Sequence, residues 1–178
     1  MKIQRMISME FLGTAILAVA IVGSGHMAIN LQADSGMVLL INALATAIGL
    51  ALVIRIGMKV SGSHFNPAVT LVMLMLKKIT PQLSLFYITA QVVGAITGVG
   101  FANLLFDQKA LDQSSIERSG SNLFFSEIFA TAVLLWIILR FPKRDDLIAV
   151  YVPLWIFGAI LFTSSTSFAN PAITISRI

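Results

Sequence analysis

No cysteine occurs among the 178 residues, which excludes disulfides, thiolate metal centres and cysteine nucleophiles. Charge is nearly as scarce. Asp, Glu, Lys and Arg make up 11% of the chain, against roughly a quarter in an ordinary soluble domain. Histidine occurs only at His26 and His64, with no carboxylate at a metal-binding spacing, and the patterns His-Glu-x-x-His and Gly-x-Ser-x-Gly are absent. No enzymatic activity, catalytic residue, metal or other cofactor is therefore expected. The net charge is +4, but the basic residues are scattered between apolar runs rather than gathered with exposed aromatics, which argues against a nucleic-acid partner.

What is present instead is apolar surface. Hydrophobic residues are 57% of the chain and the mean hydropathy is +0.91, more than a single soluble core could hide. The expected environment is a lipid bilayer. Uncharged or nearly uncharged stretches fall at about 8–30, 37–58, 81–106, 123–141 and 147–164, each near the ~20 residues a helix needs to cross the hydrocarbon. The first is read as a retained span, because it runs on through Glu10 without a cleavage site of the signal-peptide kind. Two shorter pieces, 66–77 and 170–178, each open with Asn-Pro-Ala; the first reaches only about 17 Å at 1.5 Å per residue.

Basic residues orient the chain. With a cytoplasmic N-terminus, Lys2, Arg5, Arg55, Lys59, Lys77, Lys78, Arg140, Lys143 and Arg144 lie inside, and Lys109, Arg118 and Arg177 outside. Short loops and the lack of a targeting segment point to a plasma membrane, the bacterial inner membrane. Thr80-Pro81 reads as a capped helix start, and Gly94 and Gly98 on the third span permit another helix to approach closely.

The second half echoes the first. Ser8-Met9-Glu10-Phe11-Leu12-Gly13-Thr14-Ala15 is matched by Ser126-Glu127-Ile128-Phe129-Ala130-Thr131-Ala132, and Phe65-Asn66-Pro67-Ala68-Val69-Thr70 by Ala169-Asn170-Pro171-Ala172-Ile173-Thr174. Three spans per half is odd, so the copies face opposite ways across the membrane. The expected organisation is one channel-like domain over 1–178: a first repeat at 1–106, an external loop at 107–122 and an incomplete second repeat at 123–178. Irregular backbone at membrane depth is tolerated only where it is buried or lines water, so the two Asn-Pro-Ala loops are expected to enter from opposite faces and meet. Asn66 and Asn170 would cap short helices with Pro67 and Pro171 in the first turn, which aims two helix N-termini at one place and disfavours cations there.

Ser61-Gly62-Ser63-His64-Phe65-Asn66-Pro67-Ala68-Val69-Thr70, Tyr87-Ile88-Thr89-Ala90-Gln91-Val92-Val93-Gly94-Ala95 and Ser167-Phe168-Ala169-Asn170-Pro171-Ala172 resemble the signature segments of the aquaporin, or major intrinsic protein, family over nearly the whole chain. The resemblance implies an all-α membrane protein, six spans plus two half-helices, a pore in each protomer for water or small uncharged solutes, and a homotetramer. It also implies that the rest of the second half-helix and a sixth span follow Ile178; with that sixth helix missing, the chain is expected to be a truncated channel.

Carried over residue by residue, the pore signature is Asn66, Pro67, Ala68, Asn170, Pro171 and Ala172. The constriction would comprise Thr46, Gly158, Ser167 and Ile173. Water-selective members carry arginine where this chain has Ile173, and bulky residues at the first two positions. The filter is therefore expected to be wide and suited to glycerol, urea or undissociated metalloid acids. Arg177 follows Ile173 by one turn and has two readings: a cation reaching back into the filter, or an interfacial side chain snorkelling to water. Glu10 and Glu127 also have two readings, a proton path or, as the resemblance implies, carboxylates that hold the signature loops in shape. His64 is expected to support the first loop or line the mouth, and His26 to lie at the interface. A secondary transporter built from inverted repeats and a non-conducting membrane protein derived from a channel are the alternatives.

Overall fold

The computed structural model describes residues 2–110 and 120–177. Arg118, Ile178 and most of the 107–122 loop lie outside the described residues. The described residues form seven helices and no strand: α1 (Lys2–Asn30), α2 (Ser35–Gly57), α3 (Pro67–Met75), α4 (Pro81–Leu105), α5 (Ser121–Arg140), α6 (Asp145–Phe162) and α7 (Pro171–Ser176). Five of them, α1, α2, α4, α5 and α6, are long and apolar enough to cross a membrane.

Local chemistry sets the ends. Asp34 accepts from Met37 N at 2.9 Å to open α2, and Thr80 accepts from Leu83 N at 3.3 Å ahead of Pro81 to open α4, each satisfying an amide that a helix start leaves unpaired. Asp145 and Asp146 occupy the first turn of α6, where a carboxylate suits the positive end of the helix dipole. The short α3 stops at Met75 because Lys77 turns left-handed and its neighbour Lys78 N returns to Met73 O at 2.9 Å, a C-terminal cap that ends the helix two residues earlier than the apolar pattern predicts. At the other end of the chain, α1 begins at Lys2, six residues ahead of the predicted span, since residues 2–7 offer good helix formers and no breaker.

The helices are apolar on more than one side. On α2, Leu44, Ile48, Leu52 and Ile56 form an exposed stripe, while Thr46, Leu50 and Ile54 on another face are buried. A helix with two such faces is satisfied by lipid outside and protein or a lined passage inside. The helix α1 packs chiefly against α4 and α2, α2 against α6, α5 against α6, and α4 against α7. The closest approach is between α4 and α1: a Cβ at Gly94 would overlap the carbonyl oxygen of Phe11, and one at Gly98 that of Ala15. The small-residue spacing on α4 is thus used against α1.

Candidate functional site

Between α2 and α3 the chain runs through irregular backbone in which Gly62, Ser63 and Phe65 are left-handed, with φ of 88°, 51° and 46°. For Ser63 and Phe65 that conformation costs about 1–2 kcal/mol each, so something must hold it. The fully buried Glu10 of α1 does so. Its Oε1 accepts from Ser61 Oγ at 2.5 Å and His64 N at 3.0 Å, and its Oε2 from Phe65 N at 2.6 Å and Gln91 Nε2 at 2.8 Å. Gln91 also donates to Thr70 Oγ1 at 2.9 Å, and Tyr87 OH to Ser61 O at 2.8 Å, so α4 braces both the loop and the start of α3. His64 completes the cluster through Nδ1 and Thr70 Oγ1, 3.0 Å apart, with its ring edge-on to Tyr87. The Phe65 ring lies over Gly13, where no Cβ would fit.

The loop between α6 and α7 repeats this backbone. Thr166, Ser167 and Ala169 are left-handed, with φ of 53°, 37° and 45°, at the same offsets before Asn170 as Gly62, Ser63 and Phe65 before Asn66. Glu127 of α5 accepts from Phe168 N at 3.0 Å and Ala169 N at 2.7 Å. Ser167 N donates to Ser165 Oγ at 3.1 Å, as Ser63 N does to Ser61 Oγ at 3.1 Å.

Each loop delivers an asparagine that caps the next helix: Asn66 Oδ1 accepts from Ala68 N at 2.9 Å and Asn170 Oδ1 from Ala172 N at 3.1 Å, with Pro67 and Pro171 in the first turns. The side-chain nitrogens then cross. Asn66 Nδ2 donates to Ala169 O at 2.6 Å and Asn170 Nδ2 to Phe65 O at 2.8 Å. The N-termini of α3 and α7 are thereby held facing one another, with one amide hydrogen of each asparagine engaged and one left over.

Both asparagines line a cavity of about 220 Å³. Its wall follows a four-residue period on two helices: Asn42, Thr46, Leu50, Ile54 and Met58 on and just past α2, and Ile148, Val152, Ile156 and Ile160 on α6. The α2 stripe alone covers about 24 Å at 1.5 Å per residue, most of a ~30 Å hydrocarbon core. His64, Lys78 and Lys143 line it toward the α2–α3 end.

Of the predicted constriction residues, Thr46, Ser167 and Ile173 line this cavity. Gly158 does not, because it sits two residues from both Ile156 and Ile160, about 200° around the helix from the lining stripe; counting without regard to helical phase put it on the wrong face. Arg177 does not line it either. Its guanidinium lies over the Phe168 ring, 5.2 Å from the centroid. Thr46 Oγ1 and Ser167 Oγ are buried without a protein partner among the described residues. The braces Ser61, Thr70, Tyr87 and Gln91 were missed as site residues, although a buried glutamine and tyrosine at i, i+4 on one apolar helix was the available signal. His26 bonds Asn103 Oδ1 through Nε2 at 2.9 Å. Among the described residues no three His, Asp or Glu side chains gather where they could hold a metal ion.

The family model described as "Major intrinsic protein" matches residues 1–172. The aquaglyceroporin AqpS of Rhizobium meliloti is 41% identical over 169 residues, spanning 94% of this chain and 72% of the relative. The glycerol uptake facilitator protein-like 6 of Lactiplantibacillus plantarum is 34% identical over 144 residues, 76% of this chain and 62% of the relative. The X-ray structure of the aquaglyceroporin from Plasmodium falciparum superposes with a TM-score of 0.74 at 25% identity, covering 98% of this chain and 79% of that one.

Proposed function

The chain belongs to the major intrinsic protein, or aquaporin, family, and on that footing we propose that it forms a passive transmembrane channel for water and small uncharged solutes, glycerol among them. The observation that carries the reading is the meeting of Asn66 and Asn170 inside a cavity lined along α2 from Asn42 to its C-terminal end. Two helix N-termini, each equivalent to roughly half a positive charge, raise the energy of a cation at that point. The free amide hydrogens of the two asparagines offer a passing oxygen two donors in place of lost hydration. Anions gain little, since the rest of the wall is mostly aliphatic and desolvating a charge there is costly. A neutral polar molecule meets neither obstacle.

The solute class follows from what lines the constriction. Ile173, 1% exposed, presents an aliphatic group where the family resemblance places an arginine in water-selective members, and the hydroxyls of Thr46 and Ser167 have no protein partner among the described residues. This lining is apolar with isolated hydroxyls, which suits glycerol, urea or an undissociated oxyacid better than water alone. Glu10 and Glu127 act as loop supports in this reading, not as a proton path: the donors around them are backbone amides of the loops, the Ser61 hydroxyl and the Gln91 amide of α4. We also take the protein to work as a homotetramer in a bacterial plasma membrane with its N-terminus inside.

The test is stopped-flow light scattering on proteoliposomes holding the full chain as the organism makes it, challenged with glycerol, urea and an impermeant osmolyte. Glycerol and urea entry proportional to their gradients, beside water flow, is the expected result. Saturable flux that depends on a second ion would replace the channel with a transporter, and no flux would leave a non-conducting protein.

A further inference from the structure

One polar side chain in the cavity has no role in the loop architecture. Asn42 lies one turn from Thr46 on the lining stripe of α2, toward the α1–α2 connection. Its Nδ2 donates to Ile21 O at 2.7 Å and to Ser24 Oγ at 3.0 Å, and Ser24 Oγ itself donates to Ile21 O at 3.0 Å. A backbone carbonyl can only accept, so the amide nitrogen must face Ile21, which fixes which end of the amide is which. Both amide hydrogens are then committed. What remains for the cavity is Oδ1, an acceptor that has no protein partner among the described residues and that cannot be exchanged for a donor by turning the amide over.

We propose that Asn42 is a specificity-determining residue at the α1–α2 end of the passage, whose fixed carbonyl oxygen docks small neutral solutes through their hydroxyl donors, a polyol or an undissociated oxyacid. The inference rests on the channel reading above and deepens it. A solute entering there leaves bulk water for a wall that includes Leu17, Ile21 and Ile160, and each hydroxyl it desolvates without a partner costs free energy. Asn42 Oδ1 takes the first of these hydroxyls, and Thr46 Oγ1, one turn along, and Ser167 Oγ are the next unpartnered groups. A deprotonated acid has lost one such donor and brings a negative charge to the negative end of a carbonyl dipole, so the same atom disfavours anions. Water depends on it less, because molecules in file bond to each other.

Glycerol and water permeabilities of proteoliposomes holding the full chain separate these effects. In Asn42→Leu, of similar volume, glycerol permeability is expected to fall about fivefold, the worth of one neutral hydrogen bond, with water flow retained; that retained flow also shows the variant is folded. Ser24→Ala keeps Asn42 but removes one of its two anchors, and is expected to lower the glycerol-to-water ratio by a smaller factor. If the wild type passes glycerol and neither variant changes the ratio, Asn42 does not dock the solute while the channel reading stands. If Asn42→Leu lowers water and glycerol together, Ser24→Ala decides, and an unchanged ratio there overturns the proposal. A wild type that passes water but no glycerol sinks the solute class and this position together.

Discussion

The two Asn-Pro-Ala loops share a backbone but not a setting. Both place left-handed residues four, three and one position before the asparagine, and both take two consecutive amides to a glutamate. In the first, the glutamate is fully buried and also receives Ser61 and Gln91, with Tyr87 and Thr70 closing the cluster. In the second, Glu127 receives the amides of Phe168 and Ala169, and Ser165 Oγ bonds Ser126 Oγ at 3.1 Å. Both loops share a carboxylate opposite two amides and an asparagine cap. The α4 braces add to the cost of disturbing the first loop without changing its path.

The largest effect follows from that asymmetry. Glu10→Gln puts an amide nitrogen among four donors, whereas Glu127→Gln puts one beside the amides of Phe168 and Ala169. With hydrogen bonds to charged groups worth about 1.5–3 kcal/mol each, the Glu10 variant is expected to lose about twice as much stability as the Glu127 variant. Thermal melts in detergent, followed by intrinsic tryptophan fluorescence, read the difference; equal losses would mean that the α4 braces carry no load. A smaller and symmetric effect is expected at the asparagines. Asn66→Ala and Asn170→Ala each remove a cap, worth about 1 kcal/mol, and one crossing bond of similar size. The two single variants should match, and the double variant should cost less than their sum, because each crossing bond ends on the backbone that the other asparagine positions. Strict additivity would show that the loops are held independently.

How much of this was legible beforehand depends on whether a feature is periodic or assembled. The five spans, the two short helices and the Asn-Pro-Ala pairing were readable because hydrophobic runs, Pro at a first turn and an internal repeat are all local in sequence. Helix ends were less so: the left-handed turn at Lys77 leaves no mark that an apolar count detects. Gly158 was misplaced because a position copied by counting carries no helical phase, while the lining stripe Val152, Ile156 and Ile160 does. Gln91 and Tyr87 were visible as letters in a conspicuous segment, but Gln91 finds Glu10 81 residues away and Tyr87 finds Ser61 O 26 residues away, and nothing local says that one carboxylate collects both a loop and a distant helix. Arg177 could be read two ways from one turn of helix, and the fold sets its guanidinium over the Phe168 ring.

The finest difference between the loops lies at one equivalent pair. Ser63 and Ser167 are both three residues before an asparagine, both left-handed and both on the cavity wall. Ser63 Oγ donates to Ile54 O at 3.1 Å, whereas Ser167 Oγ is buried with no protein partner among the described residues. A buried hydroxyl without a partner costs about 1–3 kcal/mol, and a cavity that carries polar solutes is the one place where that cost is met intermittently by the cargo. Ser63→Ala should therefore lower stability by about 1 kcal/mol and leave the glycerol-to-water ratio alone. Ser167→Ala should do the reverse, holding or slightly raising the melting temperature while shifting the ratio toward water. Melts and stopped-flow traces on the same two preparations check both halves of the statement. If the serines behave alike, the second hydroxyl is satisfied by a fixed water, and the two loops differ in bracing alone.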